Sequence, residues 1–269
     1  MAAHHASVRN DSGRRLWDTR EAALSFWNMS QENNAERIRK TIAGLPLTPD
    51  SQVLDIGAGP GTLAVPIAGR VRHVTAVEPS AGMYEVLTEK AAEAGAENLD
   101  SVRKSWEEVE VEKDLSGPYD LVFASFSLVV PDIEEAVRKM NEASSKYVCI
   151  YWFAGKTSWE YHMRRLWPAL HGREFVPEPG SDIIFQLLYN AGIFPDIRNF
   201  TYRHINRFSS LDEAVRHFSP QYEITSDRQR EILREYLSKQ IQKDGEGLII
   251  TGWSARMKIS WDVTEQNQE

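Results

Sequence analysis

The sequence predicts a doubly wound α/β fold, and three observations carry that prediction. From about residue 51 to 155, short apolar runs alternate with stretches of helical spacing, the rhythm of a parallel sheet buried on both faces. The first run, Val53 to Ile56, holds one acid, Asp55, and feeds a turn with glycines at 57, 59 and 61 before the sequence becomes helical. The second run, His73 to Glu78, ends in another acid and is followed by Pro79, Ser80 and a helix. A strand that ends in glycines and opens a helix leaves backbone N–H groups where a ligand can approach without meeting a Cβ.

Each element follows from pattern. Residues 14 to 44 read as one or two helices, with Trp17, Ala23, Phe26 and Trp27 on one face and Ile38 and Ile42 on another. Gly44, Pro46 and Pro49 break the chain before strand 1, Gln52 to Ile56. Thr62 is placed as an N-cap of a helix running to Gly69, with Pro66 in the first turn, where its missing N–H costs little. Strand 2 is His73 to Glu78. The helix Ala81 to Ala94 follows, with Met83, Val86, Leu87 and Lys90–Ala91 periodic. Strand 3 covers about Leu99 to Lys104, and strand 4, Tyr119 to Ala124, comes after a Gly117–Pro118 breaker. The helix Asp132 to Ala143 opens with a capping pair, Asp132 and Glu135. Strand 5, Lys146 to Phe153, is nearly all apolar.

After Gly155 the rhythm changes. Trp159, His162–Met163, Leu166–Trp167 and Leu170 repeat at helical spacing, and a loop with Pro177, Pro179 and Gly180 follows. Ser181–Asp182 caps a short helix, Ile183 to Asn190. Strand 6 is about Ile197 to Ile205, helices cover Ser210 to Phe218 and Ser226 to Lys243, and the last strand is Gly247 to Trp261. The final eight residues read as a frayed tail. These patterns divide the chain into an N-terminal helical segment (1–50), a ligand-binding core (51–155), a helical lid with the last two strands (156–261) and the tail (262–269).

Composition narrows the function classes. The 269 residues suffice for one large α/β domain with an appended cap, and 42% hydrophobic with 26% charged residues is ordinary for a globular chain. A net charge of −8 argues against a nucleic-acid partner, which wants clustered Lys and Arg. The single cysteine, Cys149, sits in an apolar run, so no disulfide framework is expected, and a cytoplasmic setting fits. The opening residues lack the apolar core of a signal peptide, and no stretch approaches the ~20 apolar residues of a membrane span. His4 and His5 fall in a frayed tail, and no cluster has metal-ligand spacing.

The glycine loop discriminates between ligands. A dinucleotide loop reads G-x-G-x-x-G, which seats a pyrophosphate on the helix N-terminus. Here the glycines read G-x-G-x-G, and Asp55 lies two residues before the first of them. A carboxylate in that crevice repels phosphates and suits a ligand with an amino group and a sulfonium. That selects S-adenosylmethionine (SAM) over NAD. Glu78, 23 positions after Asp55, lies near the offset at which a strand-end acid accepts ribose hydroxyls.

The D-x-G-x-G-x-G loop (Asp55 to Gly61) and the strand-end acid Glu78 resemble the class I SAM-dependent methyltransferases over about residues 50 to 155. The resemblance implies a Rossmann-like, mostly parallel sheet of seven strands in the order 3-2-1-4-5-7-6, with the last strand antiparallel. The additional helices around strand 6 then read as a lid. It implies that Asp55, Gly57, Ala58, Gly59, Thr62 and Leu63 line the cofactor crevice, and that Glu78, Pro79, Ser80 and Met83 face the ribose and its surroundings. Trp27 or Asn28, near the end of the N-terminal helix, would touch the cofactor, or would simply pack that helix. Many relatives place an acid for the adenine amine after strand 3; this chain has Ser105, Trp106 and Glu107 there. Trp106 would stack on adenine or fill the edge of the sheet. Ala124, Ser125 and Phe126, followed by Ser127, would run beside the methionine part and face the methyl acceptor. The acidic or Asn residue, two prolines and aromatic that mark exocyclic-base amino-methyltransferases are absent at this point.

Methyl transfer is an in-line displacement at an already activated carbon, so positioning and desolvation supply most of the acceleration. A thiol or carboxylate acceptor needs little base help, whereas a phenol needs a base. His162, His171, His204, Tyr151, Tyr161 and Tyr202 are the candidates, and no catalytic residue is singled out. The expected activity is transfer to a small, partly apolar or aromatic acceptor under the lid. A protein or peptide methyltransferase and a non-catalytic SAM-binding regulator are the alternatives, and an NAD(P)-dependent oxidoreductase is disfavoured by Asp55 and the glycine spacing. The sequence leaves the oligomeric state open.

Overall fold

The computed structural model describes residues 18–33, 35–177, 181–245 and 247–266. His4, His5, Trp17, Pro179 and Gly180 lie outside them. In chain order the elements are α1 (Arg20–Asn33), α2 (Ala35–Ala43), β1 (Gln52–Ile56), α3 (Ala64–Ala68), β2 (His73–Val77), α4 (Ala81–Glu93), β3 (Leu99–Val102), α5 (Val111–Asp114), β4 (Tyr119–Ser125) and α6 (Ile133–Ala143). There follow β5 (Ser144–Thr157), α7 (Ser158–His171), α8 (Ser181–Asn190), β6 (Asp196–Phe208), α9 (Leu211–Phe218), α10 (Asp227–Ser238), β7 (Gln242–Asp244), β8 (Gly247–Asp262) and α11 (Val263–Gln266).

The sheet runs β3-β2-β1-β4-β5-β8-β6, with the short β7 pairing antiparallel to β8 off this path. Counted without β7, this is the expected order. β1 pairs in parallel with β2 (Ile56 with Val77) and with β4 (Ile56 with Ala124), and β4 pairs in parallel with β5. Thus the ends of β1, β2 and β4 lie side by side, the place where open α/β sheets bind ligands. Val53, Leu54, Ile56, Val74, Ala76, Leu121 and Phe123 are essentially inaccessible, and Ile67, Leu87 and Cys149 fill the layers around them. Burial pushes the Cys149 thiol up to about 11, so it stays protonated and serves as a small core hydrophobe.

The chain divides into two compact units. The first runs through Trp152 and takes in Asp182–Arg198 and the residues from Met257 onward; the second is Phe153–Ser181 with Asn199–Arg256. β5, β6 and β8 each pass from one unit into the other. Within the first unit, Ala23 of α1 is buried with Met83 and Val86 of α4, and Leu24, Phe26 and Trp27 pack on that cluster. Gly82 permits this, because a Cβ there would overlap the Thr19 backbone. Within the second unit, Leu166 and Leu170 of α7, Phe208 of β6, Ala214 and Val215 of α9 and Leu233 and Leu237 of α10 form a separate core.

Several boundaries depart from expectation, each for a local reason. Thr62 caps no helix: residues 60–63 form turns, α3 starts at Ala64, and its cap position is Leu63, without a side-chain bond. Two positive-φ glycines, Gly59 and Gly61, keep the chain turning for longer than the Thr62 signal suggests. Pro66 still falls in the first turn. β3 ends at Val102, because Ser105 closes a tight turn with the Glu108 carboxylate, which accepts from its N–H (3.0 Å) and its hydroxyl (2.8 Å). The helix begun at Ser226 stops at Ser238, not Lys243, since residues 242–244 pair back on 247–249 as a hairpin. The expected lid is not one block: α8 belongs with the first unit. The tail is ordered at its start, where the Asp262 carboxylate accepts from the Thr264 N–H (2.9 Å) and hydroxyl (2.6 Å) and opens α11.

Candidate functional site

The glycine loop is built by hydrogen bonds to the end of β2. The N–H groups of Gly57 and Ala58 both donate to the Val77 carbonyl, at 2.8 and 3.0 Å. Gly57, Gly59 and Gly61 all have positive φ (69°, 58° and 85°), where a side chain is strained. Their surroundings differ. A Cβ on Gly57 would overlap Ser127, and one on Gly61 would sit 2.6 Å from Leu87 Cδ1, so both glycines are needed for close packing. A Cβ on Gly59 would meet nothing within 4 Å, so the middle of the loop faces open space.

Two buried carboxylates flank that loop. Glu78, 6% exposed, accepts from the Gly59 N–H at 2.7 Å through one oxygen and from the Ser80 N–H at 2.9 Å through the other. It therefore ties the loop after β1 to the start of α4. Ser80 caps α4 by accepting from the Met83 N–H at 3.4 Å. A carboxylate oxygen accepts two hydrogen bonds, so holding the loop and taking a ribose hydroxyl are compatible tasks. Asp55, 1% exposed at the end of β1, has an oxygen, Oδ2, with no hydrogen-bond partner among the described residues. Burial first, and the Glu78 charge second, raise its carboxyl well above the ordinary range.

At the end of β4 the backbone is again unusual. Phe126 has φ of 60°, a conformation rarely taken by a bulky residue. It is held there by its N–H to the Tyr151 carbonyl (3.0 Å) and by the neighbouring Ser127 hydroxyl, which donates to the Ile56 carbonyl. Residues over-determined into strained geometry cluster at functional sites, and here one adjoins the glycine loop through Ser127 and Gly57. Ala124 is fully buried beneath it, and Ser125 is half-buried.

The remaining sequence-predicted residues sort by what they touch. Asp55, Gly57, Ala58, Gly59, Glu78, Pro79 and Ser80 gather at the ends of β1 and β2. Thr62 and Leu63 are buried in the turns behind the loop. Met83 and Trp27 share the α1–α4 cluster, and the Lys90 ammonium lies 5.8 Å from the Trp27 ring centroid, more than a turn along α4. Trp106, 4% exposed, packs toward α6. Its indole N–H donates to the Ala136 carbonyl at 3.1 Å, and the Lys139 ammonium sits 4.8 Å over its ring. These contacts are to α6. Glu107 beside it is exposed.

The candidate bases Tyr151, His162, His171 and Tyr161 have hydrogen-bond partners. Tyr151 donates to the Thr41 carbonyl (3.0 Å), and burial raises its hydroxyl above the ordinary phenol range. His162 Nδ1 lies 2.7 Å from the Tyr236 hydroxyl, and His171 Nε2 lies 3.1 Å from the Tyr222 carbonyl. Tyr161 accepts from Arg165 at 2.5 Å. His204 has no hydrogen bond among the described residues; burial and then Arg256 lower its pKa, so its imidazole is neutral at pH 7. The ring of Tyr202 stacks beside it, with centroids 6.2 Å apart. Sequence reasoning placed Ser127 in the stretch after β4 but missed its bond to the Ile56 carbonyl, 71 residues away in the chain, and the role of Gly252 and Arg256 beside His204. The positive-φ Phe126 left no sequence signal either.

The arrangement fits a ligand that carries positive charge beside hydroxyls. A buried carboxylate oxygen without a partner favours a cation or donor, and the loop amides that a dinucleotide phosphate would need are committed: Gly57 and Ala58 to Val77, Gly59 to Glu78. Among the described residues no group of three His, Cys, Asp or Glu side chains is placed to hold a metal ion, and no helix is long and apolar enough to cross a membrane.

Comparisons with known proteins point the same way. The family described as "Methyltransferase domain" matches residues 53–146, which spans β1 to the start of β5. An uncharacterized protein of Haemophilus influenzae is 32% identical over 144 residues, 54% of this chain and 51% of that protein. The chain thus spans about half the length of that relative. Among solved structures, a putative methyltransferase of Bacillus halodurans aligns with a TM-score of 0.57 at 12% identity, covering 85% of this chain and 97% of that one. Magnesium protoporphyrin IX methyltransferase of Synechocystis, with bound S-adenosylhomocysteine (SAH), aligns at 0.50 and 14% identity, covering 83% and 81%. At such identities these structures establish the fold.

Proposed function

We propose that this chain, which matches a methyltransferase domain over residues 53–146 and shares the fold of a putative methyltransferase, is a class I SAM-dependent methyltransferase and transfers the SAM methyl group to a small, partly apolar or aromatic acceptor. The observation that carries this reading is the pair of buried carboxylates at the ends of β1 and β2, one tied to loop amides and the other holding an oxygen without a partner.

SAM supplies a methyl carbon already activated by its sulfonium, so the residues have to bind, orient and exclude water. Glu78 orients the crevice by fixing Gly59 and Ser80, and it is the group for the ribose hydroxyls. Asp55 supplies negative charge in a site that water does not reach, where a charge interaction is worth far more than in bulk. Gly59 leaves room for close approach of the ligand to the backbone. The segment Ala124 to Phe126 forms the wall beside the reacting carbon, with Phe126 locked by Ser127 and Tyr151. This set positions and desolvates.

A net charge of −8 supports a small-molecule acceptor over a nucleic acid. The test is turnover. The protein is incubated with methyl-labelled SAM and a panel of phenols, aromatic and aliphatic acids, thiols and peptides, and SAH release and label transfer are followed. Label on a small acceptor is expected. Label on peptides alone would replace this reading with the protein-methyltransferase one, and tight SAM binding without turnover across the panel would point to a regulator.

A further inference from the structure

The second unit carries a cluster that the cofactor crevice does not use. On one face of its sheet segment, Phe153 of β5, Tyr202 and His204 of β6 and Arg256 of β8 come together with Trp159 from the first turn of α7. Phe153 and Trp159 meet edge to face with ring centroids 5.1 Å apart; Trp159 lies 6.4 Å from His204, and His204 stacks on Tyr202 with their planes 19° apart. Arg256 closes the row, with its guanidinium 4.4 Å from the Tyr202 ring centroid and 5.8 Å from that of Phe153.

The cluster is built. Gly252 makes room for His204, because a Cβ there would overlap the imidazole. The neighbouring backbone is pinned where the Trp253 N–H donates to the Ser158 hydroxyl at 3.0 Å. Arg256 is aimed by its Nε donating at 2.8 Å to Ser254, a side chain with no exposure. Yet the four rings and the guanidinium are half-buried, not sealed, so a wall of aromatic faces remains partly open at one end of a fixed cation. A core would bury these rings, and a solvated face would not stack them.

We infer that this wall binds a planar aromatic carboxylate, with the ring laid on Tyr202, His204 and Trp159 and the carboxylate on Arg256. The chemistry follows from the parts. A guanidinium fork matches a carboxylate in two parallel hydrogen bonds, and its stacking on Tyr202 presents the fork edge-on. One guanidinium suits a monoanion. Of the part of β6 that lies in this unit, the strand alternation sends the two arginines, Arg203 and Arg207, to the opposite face. The neutral imidazole of His204 adds a polar contact without a competing charge. That this ligand is the methyl acceptor rests on the methyltransferase reading above; the binding site does not.

The test uses the full chain and reads binding, not turnover. Tryptophan fluorescence and calorimetry follow titrations of 1-naphthoate, 4-hydroxybenzoate, 1-naphthamide and cyclohexanecarboxylate into wild type, Arg256→Gln and His204→Gln. Circular dichroism and a separate SAH titration report whether each variant is folded. Expected are saturable binding of the aromatic acids, at least tenfold weaker binding of the amide and of the non-aromatic acid, and at least tenfold loss in Arg256→Gln with unchanged SAH affinity. His204→Gln keeps the anion but loses a several-fold share of the aromatic preference. If the naphthoate binds no better than its amide, or Arg256→Gln binds it as wild type does, the inference is wrong even though SAH binds. If SAH fails to bind wild type while naphthoate binds as expected, the methyltransferase reading falls and the carboxylate site stands.

Discussion

The ends of β1 and β2 are neighbours in one sheet, and each carries a buried acid, but the two acids do opposite work. At the end of β2, Glu78 has an amide on each oxygen and joins the glycine loop to α4. At the end of β1, Asp55 is as deeply buried and has an oxygen with no partner among the described residues. Glu78 stabilises the fold on its own, whereas Asp55 costs stability until something positive or proton-bearing meets it. A crevice with one satisfied and one unsatisfied acid is rigid and still has binding energy to gain.

The largest effect comes from breaking the loop that separates the two acids. Gly57→Ala forces a Cβ into Ser127 at a positive φ, and a loss of about 3 kcal/mol in denaturant unfolding is expected. Gly59→Ala, in open space, should cost only about 1 kcal/mol while weakening SAM binding more than Gly57→Ala weakens it per unit of stability lost. Next is Glu78→Ala. It leaves the Gly59 and Ser80 amides without their carboxylate, so it should lower stability by about 2 kcal/mol and weaken SAM binding by some tens-fold, since charged hydrogen bonds contribute ~1.5–3 kcal/mol.

Asp55→Asn sharpens the contrast by reversing a sign. A carboxyl whose folded pKa is raised binds its proton more tightly in the folded state, so wild type loses stability as pH rises from the ordinary carboxylate range through the raised value. Melting curves of the ligand-free proteins should converge near the acid end of that range. Toward pH 8, Asp55→Asn should become the more stable by about 1–3 kcal/mol, while its SAM affinity falls. An Asp55→Asn protein less stable than wild type at pH 8 would mean the acid is satisfied after all. The smallest effect is Trp106→Phe. Losing the bond to the Ala136 carbonyl should cost about 1 kcal/mol and leave SAM affinity unchanged; a clear loss of affinity would return Trp106 to the adenine side.

Much of the first unit was legible because its signals are local. Continuous apolar strands, the three glycines and the acids at 55 and 78 lie within 30 residues; the parallel sheet follows from the alternation, and the strand order from the family resemblance. The Asp132 cap, which accepts from the Glu135 N–H at 3.0 Å, is of the same kind. What escaped depends on distant partners. Thr62 looks like a cap until the two glycines before it, Gly59 and Gly61, keep the backbone turning. Trp106 has an indole whose partner is 30 residues on, and the hairpin of Gln242–Asp244 reads as the tail of a helix until β8 claims it. In the second unit the helical periods were legible, but Arg256 gives no sign in sequence that it stacks on Tyr202, because that contact is made only when β6 and β8 lie in one sheet.

The most direct test of the account is a calorimetric titration of SAM, SAH and NAD into wild type and Glu78→Ala. The account predicts that SAM and SAH bind wild type, that NAD does not, and that the variant loses most of the affinity for both while remaining folded. NAD binding in place of SAM, or a Glu78→Ala protein that binds SAM as wild type does, would contradict it.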